Sequence, residues 1–226
     1  MYMSRNTRTT PPGMPFHVLN RGVNKQTLFH NDYDYAAFEE ILSETLDKTP
    51  VRILAYCLMP NHWHFVLWPE ESEQLAAFMQ RLTITHATRW QKHYDRVGQG
   101  HVYQGRFKSF PIETEEYLYR VLRYVERNAL RAGLVERAEE WPWSSLWIRA
   151  NEAADYLPLL SDWPVCMPEN WVQHVNEVET EAELTALRNS CNRGTPYGSP
   201  GWVEQTTRAL GLESTIRSPG RPRKAK

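Results

Sequence analysis

Between Val51 and Pro69 the chain carries two short runs rich in aromatic and branched residues, Val51–Leu58 and His62–Trp68, with Met59-Pro60-Asn61 between them. Runs of this length, bounded by proline and asparagine, read as buried strands, and so short a connection makes them a hairpin. Strand side chains alternate between faces, so His62 and His64 share one face of the sheet while Trp63 and Phe65 share the other. The pattern sets two imidazoles close together on a rigid support, as a metal ion requires. An ordinary sheet pair with polar partners has the same spacing, so the rest of the chain has to decide.

An aromatic content of 12%, with nine tryptophans among 226 residues, implies a real core rather than disorder. No apolar run approaches the roughly 20 residues needed to cross a bilayer. The first residues, Met1 to Asn6, lack the apolar stretch of a secretory signal. Cys57, Cys166 and Cys191 are odd in number and widely spaced, which suits reduced thiols in the cytoplasm and neither a disulfide framework nor a cysteine zinc site. The formal net charge of −1 hides a segregated pattern. Residues 1–31 carry Arg5, Arg8, Arg21 and Lys25 and no acid, residues 151–187 carry acids and no Lys or Arg, and the end is basic again. Local basic surfaces are what a phosphate backbone meets, so a nucleic-acid partner is compatible with this balance.

The chain reads as a strand over Pro15–Asn20, a helix over Asp32–Leu46 capped by Asn31 or Asp32, the hairpin, and a second helix from Glu71 to about His93. A half-exposed strand over Gln104–Ile112 follows, then a third helix from Glu115 to about Arg131, capped by Thr114 and stopped near Gly133. The order β-α-β-β-α-β-α predicts an α+β domain, an antiparallel sheet covered by helices, over residues 1–150. An acidic linker or wrapping segment with a small helical region is expected over 151–217, with helices at Glu179–Ser190 and Pro200–Leu210. Residues 218–226 read as a disordered basic tail.

On the third helix, Leu118, Val121, Leu122, Val125 and Ala129 cluster on one side, at about 100° per residue, and should face the sheet. Arg120, Arg123 and Arg127 fall on the far side. Tyr117, Tyr124 and Asn128 lie at the margin between, and Tyr124 and Asn128 project together one turn apart. A tyrosine there could reach a metal-bound phosphate, with Tyr117 the competing nucleophile; an ordinary boundary tyrosine reads the same way.

Met59-Pro60-Asn61-His62-Trp63-His64-Phe65-Val66 resembles the HUH motif (His, bulky hydrophobe, His) of single-tyrosine transposases. Tyr124-Val125-Glu126-Arg127-Asn128-Ala129-Leu130-Arg131-Ala132-Gly133-Leu134-Val135, followed by Trp141-Pro142-Trp143-Ser144-Ser145, is similar to their tyrosine helix. With Phe16–Gly22 and Tyr103–Lys108, these motifs are most similar to REP-associated tyrosine transposases over residues 15–150. Ala129 departs from the proline that many members carry there. The resemblance implies a ferredoxin-like palm, and cleavage and rejoining of single-stranded DNA hairpins of repetitive extragenic palindromes through a 5′-phosphotyrosine. It implies Mg²⁺ or Mn²⁺ as the ion and a site built in one chain, so a monomer rather than a dimer. Tyr124 is then the nucleophile, with His62, His64 and Asn128 the metal ligands. Two imidazoles and an amide oxygen suit Mn²⁺ better than Mg²⁺ by ligand preference.

Arg21, Arg106, Lys108, Arg120 and Arg127 are the expected DNA contacts, with Arg221 and Arg223 of an AT-hook-like Gly220-Arg221-Pro222. The expected location is the cytoplasm, at the nucleoid. Two rivals remain: a catalytically inactive nucleic-acid-binding protein, and a zinc hydrolase using His17 or His101 as third ligand and needing no Tyr124.

Overall fold

The computed structural model describes residues 10–217, so Arg221, Arg223 and the rest of the tail lie outside the described residues. A four-stranded antiparallel sheet is formed by β1 (Phe16–Arg21), β2 (Arg52–Met59), β3 (His62–Trp68) and β4 (Lys108–Pro111), in the order β2-β3-β1-β4. It is the expected α+β arrangement. Pro60 and Asn61 make the hairpin turn, and in the register His64 stands opposite Leu19 and Cys57, while His62 stands opposite Arg21 and Met59.

Helices cover both faces. On one, Trp63, Phe65, Leu58 and Tyr56 pack under α1 (Asp32–Lys48) and α2 (Gln74–His93), which contribute Phe38, Ile41, Leu42, Phe78 and Leu82. On the other, Cys57, Met59, Val66 and Phe110 meet α3 (Glu116–Glu126), whose Leu118, Val121, Leu122 and Val125 form the buried stripe that its spacing requires. Asn31 caps α1 by accepting from the Asp34 amide, as expected. Beyond α3 come α4 (Asn128–Arg131), α5 (Ser145–Ala150), α6 (Trp171–Asn176), α7 (Glu181–Arg193), α8 (Pro200–Leu210) and α9 (Glu213–Ile216). Among the described residues no helix is long and apolar enough to cross a membrane.

Several expected boundaries move. Gln104–Ile112 is a strand only over Lys108–Pro111, because the pairing of β1 with this segment breaks off after Leu19–Lys108 and resumes as one bridge between Gly22 and Tyr103. The residues between them bulge away from the ladder, held by Asn20 Nδ2 donating to Gly105 O at 3.1 Å. Thr114 does not cap α3: Glu115 occupies the cap position at φ 64° with no side-chain cap bond. The helix also breaks early, at Arg127 (φ −80°, ψ −2°), before Asn128 opens α4. Gly22 permits the chain to turn back at the end of β1, since a Cβ there would lie 2.4 Å from Gln26 O.

The acidic stretch wraps the sheet. Trp163 Nε1 donates to Leu54 O at 2.8 Å, and Ser161 N to Ile53 O, against β2. The Trp143–Ser145 segment closes the same exposed edge, with Leu58 N donating to Trp143 O and Tyr56 N to Ser145 Oγ.

His86 of α2 is buried among Phe29 and Phe38, with Nδ1 2.6 Å from the Tyr103 hydroxyl, which also accepts from Trp63 Nε1 at 3.1 Å. Burial lowers its pKa to about 3. The unfolded chain then takes up a proton from about pH 6.5 downward that the folded chain refuses, so His86 makes stability fall with falling pH between those two values. Urea midpoints measured between pH 7.5 and 4.5 should decline on acidification, and less steeply in His86→Gln; equal slopes would show that His86 is not the group responsible. Trp63→Ala, which empties the centre of this face, should cost about 3–5 kcal/mol by denaturant unfolding.

Candidate active site

The period of β3 puts both imidazoles on the α3 face, at the end of the sheet where the α3–α4 break lies. Their ring centroids are 5.1 Å apart, and that of Tyr124 is 5.9 Å from His64. All three line one cleft of about 710 Å³, together with Asn128, Arg21, Arg106 and Lys108. Tyr117 is elsewhere. It packs edge-on to Tyr197, with centroids 5.5 Å apart, under the Arg120 guanidinium.

Each histidine uses Nδ1 within the protein. His62 Nδ1 lies 2.6 Å from Asn61 Oδ1, an acceptor, so that nitrogen carries the proton and Nε2 has a lone pair. His64 Nδ1 lies 2.9 Å from Nε2 of His17, which is wholly buried in β1. Burial, helped by Arg21 and Arg131, lowers the His62 pKa to about 4 and holds His64 well below its ordinary value. Both rings are therefore neutral at pH 7, the form in which imidazole binds a metal.

The donor set fits a divalent ion held partly by solvent or substrate. His62 and His64 line the cleft with their Nδ1 atoms engaged in the protein, which leaves Nε2 of each ring for a metal, and Asn128 lines it beside them, its Nδ2 buried with no hydrogen-bond partner. A zinc-hydrolase set fits poorly. Among the described residues no group of three or more His, Cys, Asp or Glu could hold a metal ion. His17 is engaged with His64, and His101 lines the adjoining, mainly apolar cleft with Ile84 and Ala87, one that neither His62 nor His64 lines.

Two features hold the tyrosine. Glu126 is fully buried and accepts from Ser145 Oγ at 2.6 Å and Trp171 Nε1 at 2.7 Å, which ties the end of α3 to α5 and α6. Arg131 places its guanidinium 4.2 Å from the Tyr124 ring centroid and donates to Tyr124 O at 3.0 Å and to Glu179 Oε2 at 2.7 Å. Burial pushes the Tyr124 phenol up to about 12, while the Arg131 charge pulls the other way. Ala129 is fully buried beyond the break at Arg127, and the bend before Asn128 forms without proline.

The expected DNA contacts divide. Arg21, Arg106 and Lys108 line the cleft. Arg120 instead pairs with Glu116 and sits over Tyr117, and Arg127 pairs with Glu179 at 3.7 Å. Neither reaches the cleft, because acids of the wrapping segment and of the helix itself engage them. Asn20, Gln104, Arg188, Cys191 and Asn192 also line it and were missed, as was Arg131. Arg131 lies two turns beyond Tyr124 and was detectable by helical phase. The residues of α7 are far away in sequence and carry no motif.

Residues 12–128, just over half of the chain, match the family described as Transposase IS200 like. The chain belongs to the IS200-like transposase family. The match contains His62, His64, Tyr124 and Asn128 and stops short of Arg131 and α7. A putative REP-associated tyrosine transposase of Haemophilus influenzae (strain ATCC 51907 / DSM 11121 / KW20 / Rd) is 25% identical over 116 residues, 48% of this chain. The match spans 66% of that relative, just under two thirds of its length. Among solved structures, a REP-associated tyrosine transposase bound to a REP hairpin aligns with 75% of this chain and 96% of its own, at 18% identity and a TM-score of 0.49. A putative transposase from Deinococcus radiodurans aligns with 56% of this chain and 96% of its own, at 15% identity and a TM-score of 0.38.

For this IS200-like chain, Glu126→Ala should cost about 3–5 kcal/mol in urea unfolding, since it strands Arg149, Ser145 and Trp171 in the interior. Glu126→Gln should cost clearly less, because its carbonyl oxygen still accepts; equal losses would show that the acceptor is irrelevant.

Proposed function

We propose that this chain is a metal-dependent single-stranded DNA endonuclease and strand transferase, acting on hairpins of repetitive extragenic palindromes with Tyr124 as nucleophile. The observation that carries the reading is the meeting of the Tyr124 and His64 rings, 5.9 Å apart by centroid, in a cleft lined by Asn128 and the basic residues Arg21, Arg106, Lys108 and Arg188. The DNA substrate is proposed from the family and from the REP-associated relatives.

His62 and His64 through Nε2, and Asn128 through its amide oxygen, would hold Mg²⁺ or Mn²⁺. Such an ion would polarise a non-bridging phosphate oxygen and offset charge that builds up in the transition state. Tyr124 Oη forms a bond to phosphorus as the bond from phosphorus to O3′ breaks, and the leaving oxygen takes up a proton to become a 3′-hydroxyl. The phenol gives up its proton on attack. With its pKa pushed up to about 12 it is protonated at rest, so the reaction needs the positive surroundings that Arg131 begins to provide. Arg21, Arg106 and Lys108 would hold the phosphates on either side of the scissile bond. The phosphotyrosine bond conserves the energy of the broken one, so a second 3′-hydroxyl can reverse the step without ATP.

One chain supplies both the histidines and the tyrosine, which supports action as a monomer; the proposed location is the cytoplasm, at the nucleoid. The zinc-hydrolase reading gains no support from the donor set, and an inactive binding protein would have no need of this convergence.

Tyr124→Phe should abolish a covalent adduct with a labelled hairpin in Mn²⁺ while hairpin binding stays within about twofold, and Tyr117→Phe should keep the adduct. An adduct that survives in Tyr124→Phe and disappears in Tyr117→Phe would move the nucleophile to Tyr117. Absence of any adduct in the wild-type chain would favour the binding-protein reading.

A further inference from the structure

Helix α7 lies beyond the family-matched residues, yet it reaches the candidate site. Its register is pinned at both ends. Thr180 and Glu183 form a reciprocal capping box at the start, and Gly194 ends it in the left-handed region at φ 74°, where a Cβ would lie 3.4 Å from Ser109 O of β4. Between these ends, Leu184 and Leu187 are buried against the sheet side. Cys191 follows Leu187 by four residues on the same stripe, and so points inward, into the cleft beside Tyr124.

There it meets His17 and neighbours Tyr124. Cys191 Sγ lies 3.9 Å from Nδ1 of His17, and the Tyr124 ring, whose centroid is 6.2 Å from that of His17, lines the same cleft beside the sulfur. His17 Nε2 in turn meets His64 Nδ1 at 2.9 Å. Polar contacts thus run Cys191–His17–His64, from a sulfur beside the Tyr124 phenol to one imidazole of the pair. For His64 to present a lone pair on Nε2, its Nδ1 must carry the proton and donate to His17 Nε2. His17 then carries its own proton on Nδ1, directed at Cys191, whose sulfur is the acceptor that completes the line.

We propose that Cys191 is a positioning residue for the cleavage step, seating the Tyr124 phenol and, through His17, fixing the orientation and tautomer of His64. The C-terminal region is thereby part of the reaction centre. The proposal rests on the reading of Tyr124 as nucleophile. A thiol that only filled space would be replaceable by any small side chain. One that holds the phenol and imidazole through its polarity is replaceable by a hydroxyl and not by a methyl group.

The test compares Cys191→Ser and Cys191→Ala with the wild-type full chain by single-turnover adduct formation on a labelled hairpin in Mn²⁺, alongside hairpin affinity and melting temperature. Cys191→Ala should slow adduct formation by about 10- to 100-fold, the usual cost of losing a group that orients a metal ligand, with hairpin affinity within about twofold. Cys191→Ser should recover most of the rate. Independently of activity, the Tyr124 resonance in ¹³Cζ-tyrosine NMR spectra, assigned with Tyr124→Phe, should move in Cys191→Ala while that of Tyr117 stays. An active wild type with unchanged rate and unchanged Tyr124 resonance in Cys191→Ala overturns the positioning role alone. Equal rate losses in the two variants, tracking lower melting temperatures, reduce Cys191 to packing and overturn it too. A wild type that forms no adduct removes the nucleophile reading, and this proposal with it.

Discussion

A buried carboxylate sets the geometry of this protein. Glu126, with no exposure to water, accepts from Ser145 on one side and Trp171 on the other, and lies 3.9 Å from the Arg149 guanidinium. Ser145 also accepts from the Tyr56 amide of β2, so the last turn of α3 is tied through one side chain to the edge of the sheet. A charge or hydrogen bond in such surroundings cannot be exchanged for water, so the helix has one resting place on the sheet. Tyr124, two residues earlier, is thereby brought over the face on which β3 displays His62 and His64. The convergence that suggests catalysis follows from a packing constraint two residues along the same helix.

The hairpin, the α+β order and the placing of His62 and His64 on one face were legible because strand alternation is a strict period of two, and the apolar runs were short and clearly bounded. The buried stripe of α3 was legible for the same kind of reason at a period of 3.6. Arg120 and Arg127 were not. Their helical phase correctly put them away from the core, but phase does not tell whether water, DNA or another part of the chain receives them. Here Glu116 and Glu179 do. The strand at Gln104–Ile112 was overextended because alternation continues through a bulge that the pattern does not reveal. Cys191 carried no local signal whatever, since its meaning comes from a contact with His17 across 174 positions.

The segregation of charge along the sequence also finds a physical account. The acid-only stretch supplies Glu179 to Arg127 and Arg131, and the Glu177 carbonyl to Arg123. Arg120 and Arg127, which read as DNA contacts, are paired with acids of this same chain, whereas Arg21, Arg106 and Lys108, in β1, β4 and the bulge between them, line the cleft. A near-zero net charge is thus compatible with one concentrated basic surface around the histidine pair. Among the acidic side chains that segment brings, Glu179 lies beside Arg131, so it also sets how much of the Arg131 charge reaches the Tyr124 ring.

The central claim is that His62, His64 and Asn128 together hold one divalent ion within reach of the Tyr124 phenol. Anomalous diffraction from crystals soaked in Mn²⁺ tests this directly. The account predicts a single strong peak bonded to Nε2 of both histidines and to the Asn128 amide oxygen, in the cleft that Tyr124 lines. A peak coordinated without the histidine pair, or none in that cleft at a concentration that supports DNA cleavage, would contradict it.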